Sequence, residues 1–142
     1  MKLCSFLACA VLLAISTSVP ARQPSTVVVP QADVKWADAG VKGVSVAAVD
    51  GDMKKGGSHF YLRYAAGLVT PLHHHSADHQ VVTISGNLVL VVDGKEHRLT
   101  PGSYFAFRGK APHSARCEGS QDCVMFIDAR GPWDVVVANK KP

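Results

Sequence analysis

Between positions 67 and 86 the chain reads GLVTPLHHHSADHQVVTISG and holds four of its seven histidines: His73, His74, His75 and His79. The flanking stretches 61–64 and 81–84 are rich in aromatic and β-branched residues and are strand-like. In an extended chain alternate side chains share a face, so His73 and His75 point one way and His74 the other. A short turn through Ser76, Ala77 and Asp78 brings His79 in beside the first two. Neutral imidazole is the commonest side-chain ligand for divalent transition metals, and three convergent rings would form most of a coordination shell. A single hairpin cannot enclose an ion, so a fourth ligand is expected from farther along the chain. His113, which follows Pro112 and lies 34 residues after His79, is the candidate. His73, His75, His79 and His113 are therefore read as metal ligands, with His79 and His113 expected on neighbouring strands of one sheet. His59 and His97 lie outside the pattern in polar surroundings and are read as surface residues.

The elements that must position these rings are all β in character. Short β-rich runs occupy 34–36, 44–49, 59–64, 80–84, 88–92, 97–99, 104–107, 124–128 and 135–137, separated by Gly, Pro, Asn and Asp. Asp93-Gly94 is a strong hairpin signal, and Asp50-Gly51-Asp52 reads as a turn. Many short strands at regular spacing point to a sandwich or barrel. Segment 26–29 could add an edge strand. In 59–64 the apolar set Phe60, Leu62 and Tyr64 is the expected core face, leaving Arg63 outside. Phe105, Phe107, Met125, Phe126 and Ile127 are expected in the core, and Trp133, in the turn Gly131-Pro132-Trp133-Asp134, is expected to pack against the barrel.

The start of the chain has a different character. Lys2, an apolar run over 3–15 and the small-residue exit Val19-Pro20-Ala21 have the layout of a secretory signal peptide cleaved near Ala21. The apolar run is too short for a permanent membrane span. Residues 1–21 are read as the signal, 22–33 as a loose lead-in or edge strand, and 34–142 as one β-barrel domain, secreted or periplasmic after cleavage. Without Lys2 the chain has 14 basic and 11 acidic side chains, scattered rather than gathered into a stripe, so a nucleic-acid partner is not expected. Cys4 and Cys9 leave with the signal. Cys117 and Cys123 remain, separated by five residues in a turn-rich stretch, and an oxidising compartment favours a disulfide between them. Free thiols or soft metal ligands are the alternatives, since Cys117 lies four residues after His113.

The pattern Gly67-x5-His73-x-His75-x3-His79-x6-Gly86 resembles the first motif of the cupins, G-x5-H-x-H-x3,4-E-x6-G, with His79 in the place of the usual glutamate. The second motif, G-x5-P-x-G-x2-H-x3-N, is matched by Gly102 and His113 and by the spacing between them. Arg108, Lys110 and Cys117 stand at its proline, glycine and asparagine positions. The resemblance implies a double-stranded β-helix, or jelly-roll, barrel that commonly pairs into homodimers through edge strands. With His79 in the set it is similar to the four-histidine cupins, some of which hold manganese and carry out oxidative chemistry.

An all-imidazole shell leaves a divalent ion its full charge and supplies no carboxylate base. Any first-row ion among Mn, Fe, Ni, Cu and Zn suits such donors. The implied function is oxidoreductase chemistry of the dioxygenase kind on a small oxygenated organic molecule. The other readings are a metal- or ligand-binding module without turnover, and an isomerase or lyase, which needs a base from elsewhere. Tyr61, Tyr64 and Tyr104 are the candidates for that base. His74 at the rim, Asp78 beside His79 and Tyr104 are the residues considered for orienting the ligands from outside, Asp78 also reading simply as a turn aspartate.

Overall fold

The structure, a computed structural model, describes residues 25–138. The proposed signal peptide, its cleavage point, Cys4, Cys9 and the start of the lead-in lie outside the described residues. In chain order the strands are β1 (Ala37–Asp38), β2 (Val44–Gly51), β3 (Ser58–Tyr64), β4 (His73–His74), β5 (His79–Ser85), β6 (Asn87–Val92), β7 (Lys95–Leu99), β8 (Tyr104–Phe107), β9 (His113–Glu118), β10 (Cys123–Ala129) and β11 (Val136–Val137). A single 3-10 turn, Gln31–Asp33, precedes them.

Two antiparallel sheets face each other. One has the order β1-β2-β3-β10-β5-β8 and the other β11-β4-β9-β6-β7. This is the all-β jelly-roll expected above. Alternation along each strand decides what fills the space between the sheets. Phe60, Leu62 and Tyr64 of β3, Val81 of β5, Leu88 and Leu90 of β6, Ala115 and Cys117 of β9, and Met125 and Ile127 of β10 are all buried in one cluster. Phe107 joins them, with Phe105 packed against the cluster. The same alternation turns Phe126 outward, against the expectation, where it packs on Tyr61 with ring centroids 5.5 Å apart. Arg63 is outside as expected, its guanidinium 4.5 Å above the Trp36 ring.

Asp93-Gly94 makes the β6–β7 hairpin, with φ of 50° and 75° at the two residues, the left-handed pair such a turn requires. Asp50-Gly51 is not a turn: β2 runs through both, with a bulge after Ala48, and the chain reverses at 53–56. Segments 26–29 and 34–36 are not strands either. Val27 and Val29 line a groove with Val49 and Tyr61 on the outer face of the first sheet, and β1 begins only at Ala37.

Cys117 and Cys123 form a disulfide joining β9 of one sheet to β10 of the other, with Cα atoms 5.7 Å apart. Gly86 packs beside it. A side chain there would place its Cβ 2.7 Å from the Asp122 carbonyl and from the Cys123 Cα, at a φ of +80°. Gly67, the other end of the histidine motif, has a φ of +79° but open space around it. Alanine at either position pays the left-handed cost of about 1–2 kcal/mol, and only Gly86 adds a backbone collision. Urea unfolding is expected to show Gly67→Ala destabilised by about 1 kcal/mol and Gly86→Ala by about 3 kcal/mol or more. Equal losses would contradict this reading of the close approach.

Candidate metal centre

The two sheets deliver histidines to one end of the barrel from opposite sides. On β4, His73 pairs directly with His113 of β9, so these two are neighbours within one sheet. His79 opens β5 in the other sheet, beside Ala129 and Phe107. Residues 75–78 carry the chain across the gap, with His75 at the crossing. The expectation that His79 and His113 share a sheet is thus corrected: the turn after His75 changes sheets, and the inward phase of β5 and of β9 aims both rings at the same space. His73, His75, His79 and His113 are all buried, between 3% and 6% exposed.

Ring nitrogens of His73, His75 and His113 lie within 4.8 Å of one another, a grouping able to hold a metal ion. Their ring centroids are 4.4 Å apart for His73 and His113, 5.0 Å for His73 and His75, and 5.3 Å for His75 and His113. His79 stands at the edge of this group, 4.7 Å from His75 by ring centroid and 6.5 Å from His113. Its ring is wedged edge-on to Trp133 and against Phe107, which keeps it on its own sheet's side.

One hydrogen bond recurs on every ring. Nδ1 of His73 lies 2.9 Å from the Pro71 carbonyl, Nδ1 of His79 3.1 Å from that of Ala77, and Nδ1 of His113 3.0 Å from that of Ala111. Each partner is two residues upstream, so a strand that begins on histidine is satisfied by the segment leading into it. For His75 the partner is the Asp134 carbonyl, 59 residues away. A carbonyl oxygen only accepts, so Nδ1 carries the proton in each ring and, in the neutral imidazole, Nε2 keeps its lone pair. Metal-bound histidines are commonly oriented in this way, by an outer acceptor on the second nitrogen.

Burial also keeps the rings neutral. All four are depressed below the ordinary histidine value of 6.5 by loss of solvent, His75 to about 3 and His113 to about 4, with the neighbouring rings lowering them further. Hydrogen bonds from Nδ1 act in the opposite direction and do not overcome the burial. The donor set fits a divalent transition metal: several neutral imidazoles, with lone pairs free, gathered in a buried pocket.

The residues considered for outer roles are placed elsewhere. Asp78 gives its carboxylate to the Gly109 N–H at 2.7 Å and acts on His79 only through its charge. Strand alternation turns His74 away, opposite Val136 of β11, and among the described residues it bonds to none of the four rings. Tyr104 is 58% exposed and donates to Gln80 at 3.2 Å, outside the barrel. What holds the site instead is the segment after β10. Trp133 stacks on His75 at 4.1 Å, Asp134 supplies the carbonyl to His75, and its carboxylate accepts from the Ser76 N–H and hydroxyl at 2.8 and 2.7 Å. Phe107 covers His113 at 3.8 Å. No local spacing joins 133–134 to 75–76, so a one-dimensional reading sees only a turn with an aromatic in it. Inside the cluster is a cavity of about 30 Å3, walled by apolar side chains such as Leu62, Val81, Leu90 and Met125. It holds a water or two and no more.

A double-stranded β-barrel with histidines gathered at one end defines a class of small barrels, and comparison with known proteins agrees on the fold. Residues 60–129 match the profile of the cupin domain, and the barrel described here is a cupin domain. A polyketide cyclase, RemF from Streptomyces resistomycificus, superposes with a TM-score of 0.68 at 19% identity, over 82% of this chain and 88% of that one. An RmlC-like cupin from Shewanella frigidimarina gives 0.61 at 16%, over 75% and 92%. A recombinant oxalate oxidase in complex with glycolate gives 0.58 at 16%, over 72% and 59%. No curated protein sequence matches the chain significantly.

Since the rings are depressed in the folded state, stability is full above the unfolded value of 6.5 and is lost as pH falls, because the unfolded chain then takes up protons that the folded one refuses. The loss levels off only below about 4, where His113 protonates in place, and then about 3 for His75. Chelator-treated protein is therefore expected to unfold at lower urea at about pH 5 than at about pH 7.5. A midpoint independent of pH would contradict the burial of neutral rings.

Proposed function

We propose that the protein is an exported metal-binding cupin in which His73, His75 and His113, joined by His79, hold a divalent first-row ion for oxidative chemistry on a small oxygenated organic molecule. The observation that carries the reading is the carbonyl held on Nδ1 of all four buried rings, which leaves each Nε2 its lone pair, with ring nitrogens of His73, His75 and His113 gathered within 4.8 Å. The ion, once bound, supplies charge to polarise an oxygen of water, dioxygen or substrate. The chain's own part is to hold the rings in one tautomer, to clamp His75 through Trp133 and Asp134, and to exclude bulk water with Phe107 and the apolar wall.

Reaction types that begin with proton abstraction have less support. The cavity is lined by no carboxylate and no amine. Tyr61 and Tyr104 are on outer faces, and Tyr64, which does line the cavity, has its hydroxyl pushed up to about 12 by burial and so stays protonated. A module that holds its ion without turnover is the second reading, favoured by a cavity of only about 30 Å3. Export rests on the signal-like residues 1–21, and the Cys117–Cys123 bridge agrees with an oxidising compartment. Homodimerisation is part of the same proposal, to be checked by light scattering.

Protein purified from its native compartment is expected to contain about one divalent ion per chain and to consume oxygen with some member of a panel of diketones, phenols and unsaturated acids. His113→Ala is expected to abolish metal retention, and His79→Ala to weaken it about 10–100-fold, since His79 stands at the edge of the group. Stoichiometric metal with no turnover would favour the binding module. Failure to bind any first-row ion on reconstitution would remove both readings.

A further inference from the structure

A second concavity lies on the far side of Phe107. Strands β7 and β8 are the outermost strands of the two sheets at that side of the barrel, and between them opens a cleft of about 370 Å3. Leu90, Phe105 and Phe107 line both this cleft and the small cavity inside the histidine cluster. Of these shared walls, Phe107 is the one stacked on His113, at an interplanar angle of 14°. A wall of two aromatic rings and a leucine, with Phe107 against His113, therefore separates a cleft of ligand size from the candidate metal centre.

The chemistry of the cleft is one-sided. Its floor is apolar, from Leu90, Val92 and Phe105, and no carboxylate lines it. Its basic side chains are His97 and Arg108. Every other arginine among the described residues is engaged: Arg98 and Arg116 with Glu96 and Glu118, Arg130 with Asp128, and Arg63 with Ser45 and the Trp36 ring. Arg108 alone among them has neither an ion pair nor a side-chain hydrogen bond. A guanidinium is a fork matched to a carboxylate, and here it stands over an apolar floor with nothing anionic from the chain to fill it.

We propose that this cleft binds a small organic monocarboxylate. Its charged end sits on Arg108 and its hydrocarbon or aromatic body lies against Leu90, Val92 and Phe105, with Phe107 the ring that must turn aside for the body to reach His113. The inference depends on the metal-centre reading for what the acid meets beyond Phe107, and not for the binding itself. It also accounts for a candidate centre whose own cavity is too small for an organic molecule: the substrate's space is outside this wall.

The test uses benzoate as the acid and benzyl alcohol as its neutral counterpart, titrated calorimetrically into the full protein in metal-loaded and chelator-treated forms. Arg108→Gln is expected to weaken benzoate about tenfold in both forms and to leave benzyl alcohol unchanged, with Arg108→Lys recovering part of the loss. Arg108 is exposed, so neither variant disturbs the core. Three outcomes would each overturn the proposal: no benzoate binding to the wild type, equal benzoate affinity in wild type and Arg108→Gln, or benzoate binding that vanishes on chelation. The last would put the carboxylate on the ion and leave the metal centre standing. Benzoate held through Arg108 by a protein that takes up no metal would do the reverse.

Discussion

Four imidazoles gathered at one end of an apolar barrel are costly unless each is neutral and each has somewhere to send its remaining N–H. Backbone carbonyls meet that requirement here, one per ring, and the rest of the site follows from it. Because the acceptor fixes the proton on Nδ1, the inner nitrogen is left as a lone pair. Because burial depresses protonation, the lone pair persists well below neutral pH. Neither condition requires an ion to be present, so the chain itself builds the binding geometry.

The carbonyls have two sources with different consequences. For His73, His79 and His113 the acceptor is two residues upstream, so forming the strand and orienting the ring are one event. His75 lies in the crossing between sheets and has no such local partner. Its ring is set by Trp133 and Asp134, which come from the far end of the fold and are tied to the crossing through Ser76. The cluster is complete only when the last described segment has docked, which couples the site to closure of the whole barrel.

Much of this was legible in the sequence, and the failures have physical causes. Period-two alternation identified the inward face of β3, and the spacing within 73–79 placed His73 and His75 together and His74 apart. Phe126 was misjudged because the three consecutive residues Met125, Phe126 and Ile127 cannot all face one side of β10. The segments 26–29 and 34–36 have strand-forming residues but pair with no strand, and residue preference alone does not say whether a partner is present. Sheet membership of His79 was wrong because a three-residue turn can either stay in a sheet or leave it. Trp133, Asp134 and the face of Phe107 were invisible as site residues because their contacts are long-range. Asp78 and Tyr104 were attractive by chemistry but are spent on Gly109 and Gln80.

This scaffold supports unrelated chemistries, and the similar structures named above include a cyclase and an oxidase, so function here depends on the rings rather than on the fold. The most direct measurement is long-range 1H–15N NMR of the histidine side chains in chelator-treated protein near neutral pH, which reports the protonation of each ring nitrogen. Signals of His73, His75, His79 and His113 showing a protonated Nδ1 and a bare Nε2 are the expected result. Protonated Nε2 atoms, or imidazolium rings, at these positions would contradict the account.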